Sequence, residues 1–326
     1  MRAVVVASPG GPETLEIRSL PDPRPSRLHV VIDVHATALN RADLLQRRGL
    51  YPPPEGASPI LGLECSGVVS ELGPEVEALR VGDRVMALLA GGGYAERVVV
   101  HENLVMPVPD ELSFEEAAAI PEAFLTAHEA LVNAGELEPG ERVLIHAGAS
   151  GVGSAAIQLA RELGAFVIAT SRSADKMGFL RDLGVHRAVL TTEEDFAEVV
   201  REESRGRGAD VIVDFVGAAY AEKNQKALAA GGRWIVVGLL GGARATIDFG
   251  ALLARRQTVR GIVMRTRPLP EKAALVRAFR KDFLPWFAEG RLRPQLDAVF
   301  PFEAVREAHE RMETNRNLGK LVVKLR

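Results

Sequence analysis

Through the middle of the chain, short uninterrupted apolar runs alternate with stretches whose apolar residues recur every three or four positions. The first pattern suits a strand buried on both faces of a parallel sheet, and the second suits a helix lying on that sheet. The apolar runs fall at 143–145, 166–170, 188–191, 211–215, 233–237 and 258–263. Strands joined by right-handed helical crossovers make a doubly wound α/β sheet, so residues 122–262 are expected to form one domain. Residues 1–121 read differently, with strand-like runs at 3–7, 29–38, 67–70, 84–89 and 95–100, punctuated by Gly82-Asp83 and Gly91-Gly92-Gly93. That block is mostly β. Residues 263–326 carry helical patterns over 269–287 and 302–314 and a closing strand over 320–325, for which the β-rich first block is the obvious host sheet.

The junction after the first of the middle strands is the most informative stretch, VLIHAGASGVGSAAIQLARELGA over 143–165. Gly148, Gly151 and Gly153 allow a turn tight enough to bring bare backbone N–H groups against an anionic pyrophosphate. Val152, Ala155, Ala156, Leu159, Ala160 and Leu163 then mark the buried face of a helix whose N-terminus points at that phosphate. A triphosphate-binding loop requires Lys where Ser154 stands, and a hydrolase nucleophile elbow around Ser150 requires Gly where Val152 stands. A dinucleotide-binding Rossmann turn fits best. It departs from the strict fingerprint, because a register starting at Gly148 puts Ser150 at the middle glycine position.

Composition and charge narrow the picture further. With 326 residues, 47% hydrophobic content and a formal net charge of −3, the chain has the material for two globular domains and no attraction for polyanions. Nucleic acid is not an expected partner, and no apolar run is long enough for a membrane span. The N-terminal MRAVVVASPGG does not read as a signal peptide, so the cytoplasm is the expected location. Cys65 is the only cysteine and no H-x-x-x-H pair occurs, so local spacing offers no metal site. Cys65 itself, in LGLECSGVV, reads as a small core residue.

The end of the second middle strand bears on cofactor type. An NAD site places Asp or Glu there for the ribose hydroxyls, whereas a 2′-phosphate calls for cations and small polar groups. The chain reads Ala169-Thr170-Ser171-Arg172-Ser173, with Lys176 following, which favours NADPH. The competing reading makes Arg172 and Lys176 the start of a solvated helix, with Asp175 and Asp182 beside them.

Taken together, these segments resemble the zinc-free quinone oxidoreductases of the medium-chain dehydrogenase/reductase superfamily, most closely the p53-inducible quinone oxidoreductase subgroup. The resemblance rests on ALNRADLLQRRGLYPPP (38–54), ILGLECSGVV (60–69), VGDRVMALLAGGGYAE (81–96), AAAIPEAFLTAHEAL (117–131), HAGASGVGSAAIQLA (146–160) and NRNLGKLVV (315–323). It implies a GroES-like β-rich substrate domain over 1–121 completed by 263–326, a Rossmann NADPH-binding domain over 122–262, a cleft between the two, and a homodimer. The zinc-dependent branch of the superfamily has a cysteine ligand where this chain reads Asn40-Arg41-Ala42-Asp43 and a histidine in the segment that here reads Gly62-Leu63-Glu64. Both are missing, and Gly91–Gly93 replaces the structural zinc lobe.

The resemblance implies hydride transfer from C4 of NADPH to a quinone or enone. A 2-alkenal or enoyl reductase, or an NADPH-binding protein with little turnover, are the alternatives. Tyr51 matches a tyrosine near the nicotinamide and substrate, to orient the acceptor or donate a hydrogen bond; otherwise it is a loop aromatic packed on the three prolines after it. Asn40 and Asp43 occupy the vacated metal site as a polar network or as a structural cap. Thr126 matches the threonine beside the nicotinamide, with a back-bond to the preceding turn as the alternative. Gly148, Ser150, Gly151, Val152 and Gly153 are expected at the pyrophosphate, and Ser171, Arg172 and Lys176 at the 2′-phosphate. Thr191 replaces an aromatic or histidine near the adenosine. Gly217 closes the fourth strand, Val237, Gly238 and Leu239 close the fifth, and Val263 and Met264 end the sixth beside the nicotinamide. Arg316 returns to the phosphate or is a surface arginine.

Overall fold

In the computed structural model, which describes residues 1–326, the chain begins with an antiparallel pair, β1 (Arg2–Val6) and β2 (Leu15–Ser19). It continues through β3 (His29–Ala38), α1 (Arg41–Arg47), β4 (Glu64–Leu72), β5 (Arg84–Leu88), β6 (Arg97–His101), β7 (Val105–Pro107), α2 (Phe114–Ala117) and α3 (Pro121–His128). The long strand β3 organises this part, since Val30, Val31, Ile32 and Val34 are buried and the strand pairs with both β4 and β6. Gly67 lets β4 cross β3 closely, because a Cβ there would stand 2.0 Å from the Asp33 carbonyl oxygen.

The middle of the chain alternates β8 (Arg142–Ile145), α4 (Gly151–Glu162), β9 (Phe166–Ser171), α5 (Met177–Asp182), β10 (Arg187–Leu190), α6 (Phe196–Glu203), β11 (Ala209–Asp214), α7 (Ala221–Ala227), β12 (Leu228–Val236), α8 (Phe249–Ala254) and β13 (Thr258–Gly261). All neighbours pair in parallel, in the order β10-β9-β8-β11-β12-β13. The strand order reverses at β8, and in such sheets ligands bind outside the strand C-termini at that switch point. One core of this sheet gathers Leu144, Ile168, Val189, Ile212 and Trp234 with Phe196, Val200 and Leu228.

The chain then runs through α9 (Leu269–Asp282), α10 (Pro285–Ala288), β14 (Leu296–Pro301), α11 (Val305–Glu313) and β15 (Lys320–Lys324). Strand β15 pairs antiparallel with β3, Val322 opposite Ala38, and so joins the first block's sheet. Two compact units result, residues 1–125 with 264–326, and residues 126–263.

Several boundaries differ from the sequence reading. The split after residue 125 lies four residues beyond the expected limit at 121, because α3 runs unbroken through it. The helical pattern over 269–287 is interrupted, since Pro285 lacks the N–H that would continue α9. Phe287 of α10 nevertheless packs on Phe124 and Phe279, which is why the apolar period continues across the break. The sixth strand stops at Gly261, and the last bond to its neighbour runs from Ile262 N to Val236 O. Val263 and Met264 therefore lie past the strand rather than ending it.

Candidate active site

The glycine turn leaves the sheet at the end of β8. Gly148 N donates to Thr170 O at 3.0 Å, and a Cβ on Gly148 would press within 3.0 Å of both Ala169 and Leu180 side chains. Gly153 is more constrained, because a Cβ there would lie 2.4 Å from the Ala147 carbonyl oxygen. The Ser150 hydroxyl oxygen accepts the Gly153 N–H at 3.0 Å and caps α4. Its role is thus first that of an N-cap, although its O–H hydrogen is still free to donate. The amides of Gly151 and Val152 in the first turn have no backbone acceptor, so two donors stand at the positive end of a twelve-residue helix. These features fit a dinucleotide phosphate.

Beneath the turn lies a scaffold that motif reading did not single out. Asp214, at the end of β11, accepts Val216 N and Gly217 N on Oδ1, and Asn224 Nδ2 and Trp234 Nε1 on Oδ2. Asn224 Oδ1 in turn takes the His146 Nε2–H at 2.6 Å, and His146 Nδ1 meets the Thr170 hydroxyl at 3.0 Å. Burial lowers the His146 pKa, consistent with a neutral ring that donates on one side and accepts on the other. Four strand ends are tied together by this chain of bonds. Gly217 itself has φ of 76°, which only glycine adopts without cost, and Val237 N and Gly238 N both donate to Asp214 O.

At the end of β9, Ser171 is buried and its hydroxyl bonds the Ser173 backbone, while Arg172 is exposed and Lys176 half-buried. Thr191 N donates to Ser171 O, and the Thr191 hydroxyl meets the Tyr220 hydroxyl at 3.1 Å. Tyr220, in the turn after β11, is the aromatic neighbour of Thr191. Leu239 and Val263 are exposed and Met264 is buried. Arg316 is exposed in the segment before β15, in the first unit, with its amide bonded to Thr314 Oγ1.

The first unit holds a buried polar cluster. Lys320 Nζ donates to Leu39 O at 2.8 Å, Asn40 Oδ1 at 2.8 Å and Glu64 Oε1 at 2.6 Å, and Asn40 Nδ2 donates to the same Glu64 oxygen. Asp43 accepts the Asn40 and Gly62 amides and the Tyr94 hydroxyl. It therefore caps α1 and anchors the Gly62 loop, with burial raising its pKa to about 6 against the pull of those amides. Arg265 lies over the Tyr51 ring at 5.3 Å, and its side chain donates to Tyr51 O, Ala90 O and Gln46 Oε1. Lys272 Nζ donates to Arg265 O at 2.6 Å. Glu64, Gln46, Arg265, Lys272 and Lys320 were assigned no role from sequence, although Gln46, Glu64 and Lys320 lie within the segments that carry the family resemblance.

A divalent metal does not fit this cluster. The oxygen donors that would hold one already converge on the Lys320 ammonium, and no three His, Cys, Asp or Glu side chains are grouped to bind an ion. Cys65 is buried and its thiol pKa is pushed up by desolvation, away from a metal-binding thiolate.

Comparison with known proteins agrees with this architecture. Residues 26–110 match the alcohol dehydrogenase GroES-like domain family, and residues 151–280 match the zinc-binding dehydrogenase family. Human quinone oxidoreductase is 30% identical over 100% of this chain and 98% of its own. The chain belongs to the medium-chain dehydrogenase/reductase family. Within that family it is quinone oxidoreductase-like, and it is also 32% identical over 98% of its length to a phenolphthiocerol/phthiocerol polyketide synthase of Mycobacterium tuberculosis. It spans only 14% of that synthase. A crystal structure of an NAD-dependent alcohol dehydrogenase superposes with a TM-score of 0.90 at 38% identity, covering 100% of both chains. The CurK enoyl reductase superposes at 0.89 with 28% identity, over 100% of this chain and 99% of that one. This is a family of nicotinamide-dependent oxidoreductases, and in this chain the buried cation beside Asn40 and Glu64 is the Lys320 ammonium.

Proposed function

We propose that the protein is an NADPH-dependent quinone oxidoreductase of the cytoplasm, working as a homodimer. The observation that carries this reading is the commitment of Asn40 and Glu64 to the Lys320 ammonium. A site whose oxygen donors are already neutralised in this way has no Lewis acid with which to hold an alkoxide, the usual need of alcohol oxidation. A quinone or related conjugated acceptor is electron-poor enough to take hydride without one. Bound NADPH supplies the hydride from C4.

The remaining roles belong to this chain. The Gly151 and Val152 amides and the Ser150 O–H hold the pyrophosphate at the N-terminus of α4. Ser171, Arg172 and Lys176 address the 2′-phosphate, a reading supported by the absence of any carboxylate at the end of β9. The Tyr51 ring, fixed by the Arg265 guanidinium, orients the acceptor. Thr126 serves the nicotinamide, supported by a buried hydroxyl that makes no back-bond to its own helix. The homodimer is supported by the open edge of β13 and by Phe249 and Leu253 of α8, which are 75% and 78% exposed.

A second reading, reduction of an activated carbon–carbon double bond, is favoured by the likeness to CurK enoyl reductase. Specificity constants for 1,2-naphthoquinone and a 2-alkenal, measured side by side with NADPH, separate the two. The quinone is expected to be reduced with the higher kcat/KM; a preference for the alkenal would move the assignment to the second reading. Absence of turnover with either, alongside tight NADPH binding, would leave a binding protein.

A further inference from the structure

We propose that Glu122 is the acid that delivers the proton completing reduction of the acceptor, a role that rests on the reductase reading above. Glu122 lies in the first turn of α3, where its backbone N–H donates to Glu64 Oε2 at 2.8 Å. Its own Oε2 is buried and has no hydrogen-bond partner, and so is the Thr126 hydroxyl one turn further along the same helix. Buried polar oxygens without partners are rare and costly, and a bound group that can share a proton with them removes the cost.

The surroundings keep that carboxyl protonated. Burial and the neighbouring Glu64 carboxylate, with a smaller push from Asp43 of α1, outweigh the attraction of Lys320 from β15 and Lys272 from α9 and lift the Glu122 pKa to about 8. Glu64, which accepts the Glu122 N–H, belongs to the buried polar cluster of the first unit, and Lys272 donates to the carbonyl of Arg265, whose guanidinium lies over the Tyr51 ring. Hydride transfer to a quinone breaks the C4–H bond of the reduced nicotinamide and leaves a hydroquinone monoanion. The Glu122 O–H bond then breaks, its proton forms the second hydroquinone O–H, and the carboxylate regains a proton from water.

Glu122→Gln keeps the shape and removes the proton. The wild-type kcat for quinone reduction should fall as pH rises through about 8, where the acid is lost. The variant should show no such limb and a kcat lower by about 100-fold, with NADPH affinity unchanged. Stability gives a readout independent of turnover. A carboxyl held above its ordinary value of 4.5 contributes stability that is lost as pH rises from there towards about 8, so the variant's Tm should gain on the wild type across that window. Wild-type kcat and pH profile retained in the variant would overturn the acid role while leaving the reductase intact. A wild-type protein that binds NADPH but reduces no quinone would overturn the reductase reading and the acid role with it. Should the variant fail to fold, a wild-type kcat that stays flat through about pH 8 overturns the proposal on its own.

Discussion

Lys320 shows how far a single side chain can carry a site. The residue is 4% exposed, and its ammonium pairs with a fully buried Glu64 and links the last strand to the loop before α1. Removing one member of such a pair strands a buried charge, so Lys320→Met should cost about 3–5 kcal/mol in urea unfolding, and adding Glu64→Gln should recover part of it. A loss below about 1 kcal/mol would show the pair to be solvated. Arg172 and Lys176 belong to the other unit and to cofactor choice. Their double alanine variant should weaken NADPH by roughly 10-fold or more while barely changing NADH, because only a 2′-phosphate engages both cations; equal losses for the two cofactors in a fluorescence titration would refute the assignment. At this scale the sequence was legible where chemistry is local. Gly148 and Gly153 announce the turn by their spacing, whereas Lys320, Arg265 and Glu122 gain meaning only from partners far along the chain, such as Asn40, 280 positions from Lys320. Asp43 answers to the capping alternative, since it holds α1 and the Gly62 loop in place.

Among the elements, α4 and the turn before it do the most for function, and they tolerate the least. A methyl group on Gly153 would collide with backbone rather than with a flexible side chain, so Gly153→Ala must move the turn. Loss of about 1–3 kcal/mol of stability and of measurable NADPH binding is expected, checked by thermal unfolding and by titration. A variant that binds NADPH normally would mean that the turn is looser than its contacts imply. Most of the parallel strands of this unit were legible because they are apolar runs buried on both faces. Strands β2, β7 and β14 were not, since β7 is only three residues long and β2 and β14 leave most of their residues partly or fully exposed. The break in α9 was hidden for the opposite reason, because Phe287 keeps the apolar period although Pro285 ends the backbone ladder.

On the scale of the whole molecule, fold class followed from the change of period along the chain, and the return of β15 to β3 followed from the need of a closing strand for a partner. The position of the unit boundary did not, because α3 carries its helical pattern straight through it. The exposed edge strand β13 and the apolar face of α8 predict self-association. Light scattering after size exclusion should give a dimer for the wild type and a monomer for Phe249→Glu with Leu253→Glu, and a monomeric wild type would remove the dimer from the account. The central claim is NADPH-dependent reduction of a quinone by a site whose cation is a lysine, and it is tested most directly by following reduced-nicotinamide absorbance with 1,2-naphthoquinone after exhaustive chelation. Undiminished quinone-dependent oxidation, faster with NADPH than with NADH, is the predicted result. Oxidation that disappears with chelation and returns with zinc, or that never depends on the quinone, would contradict it.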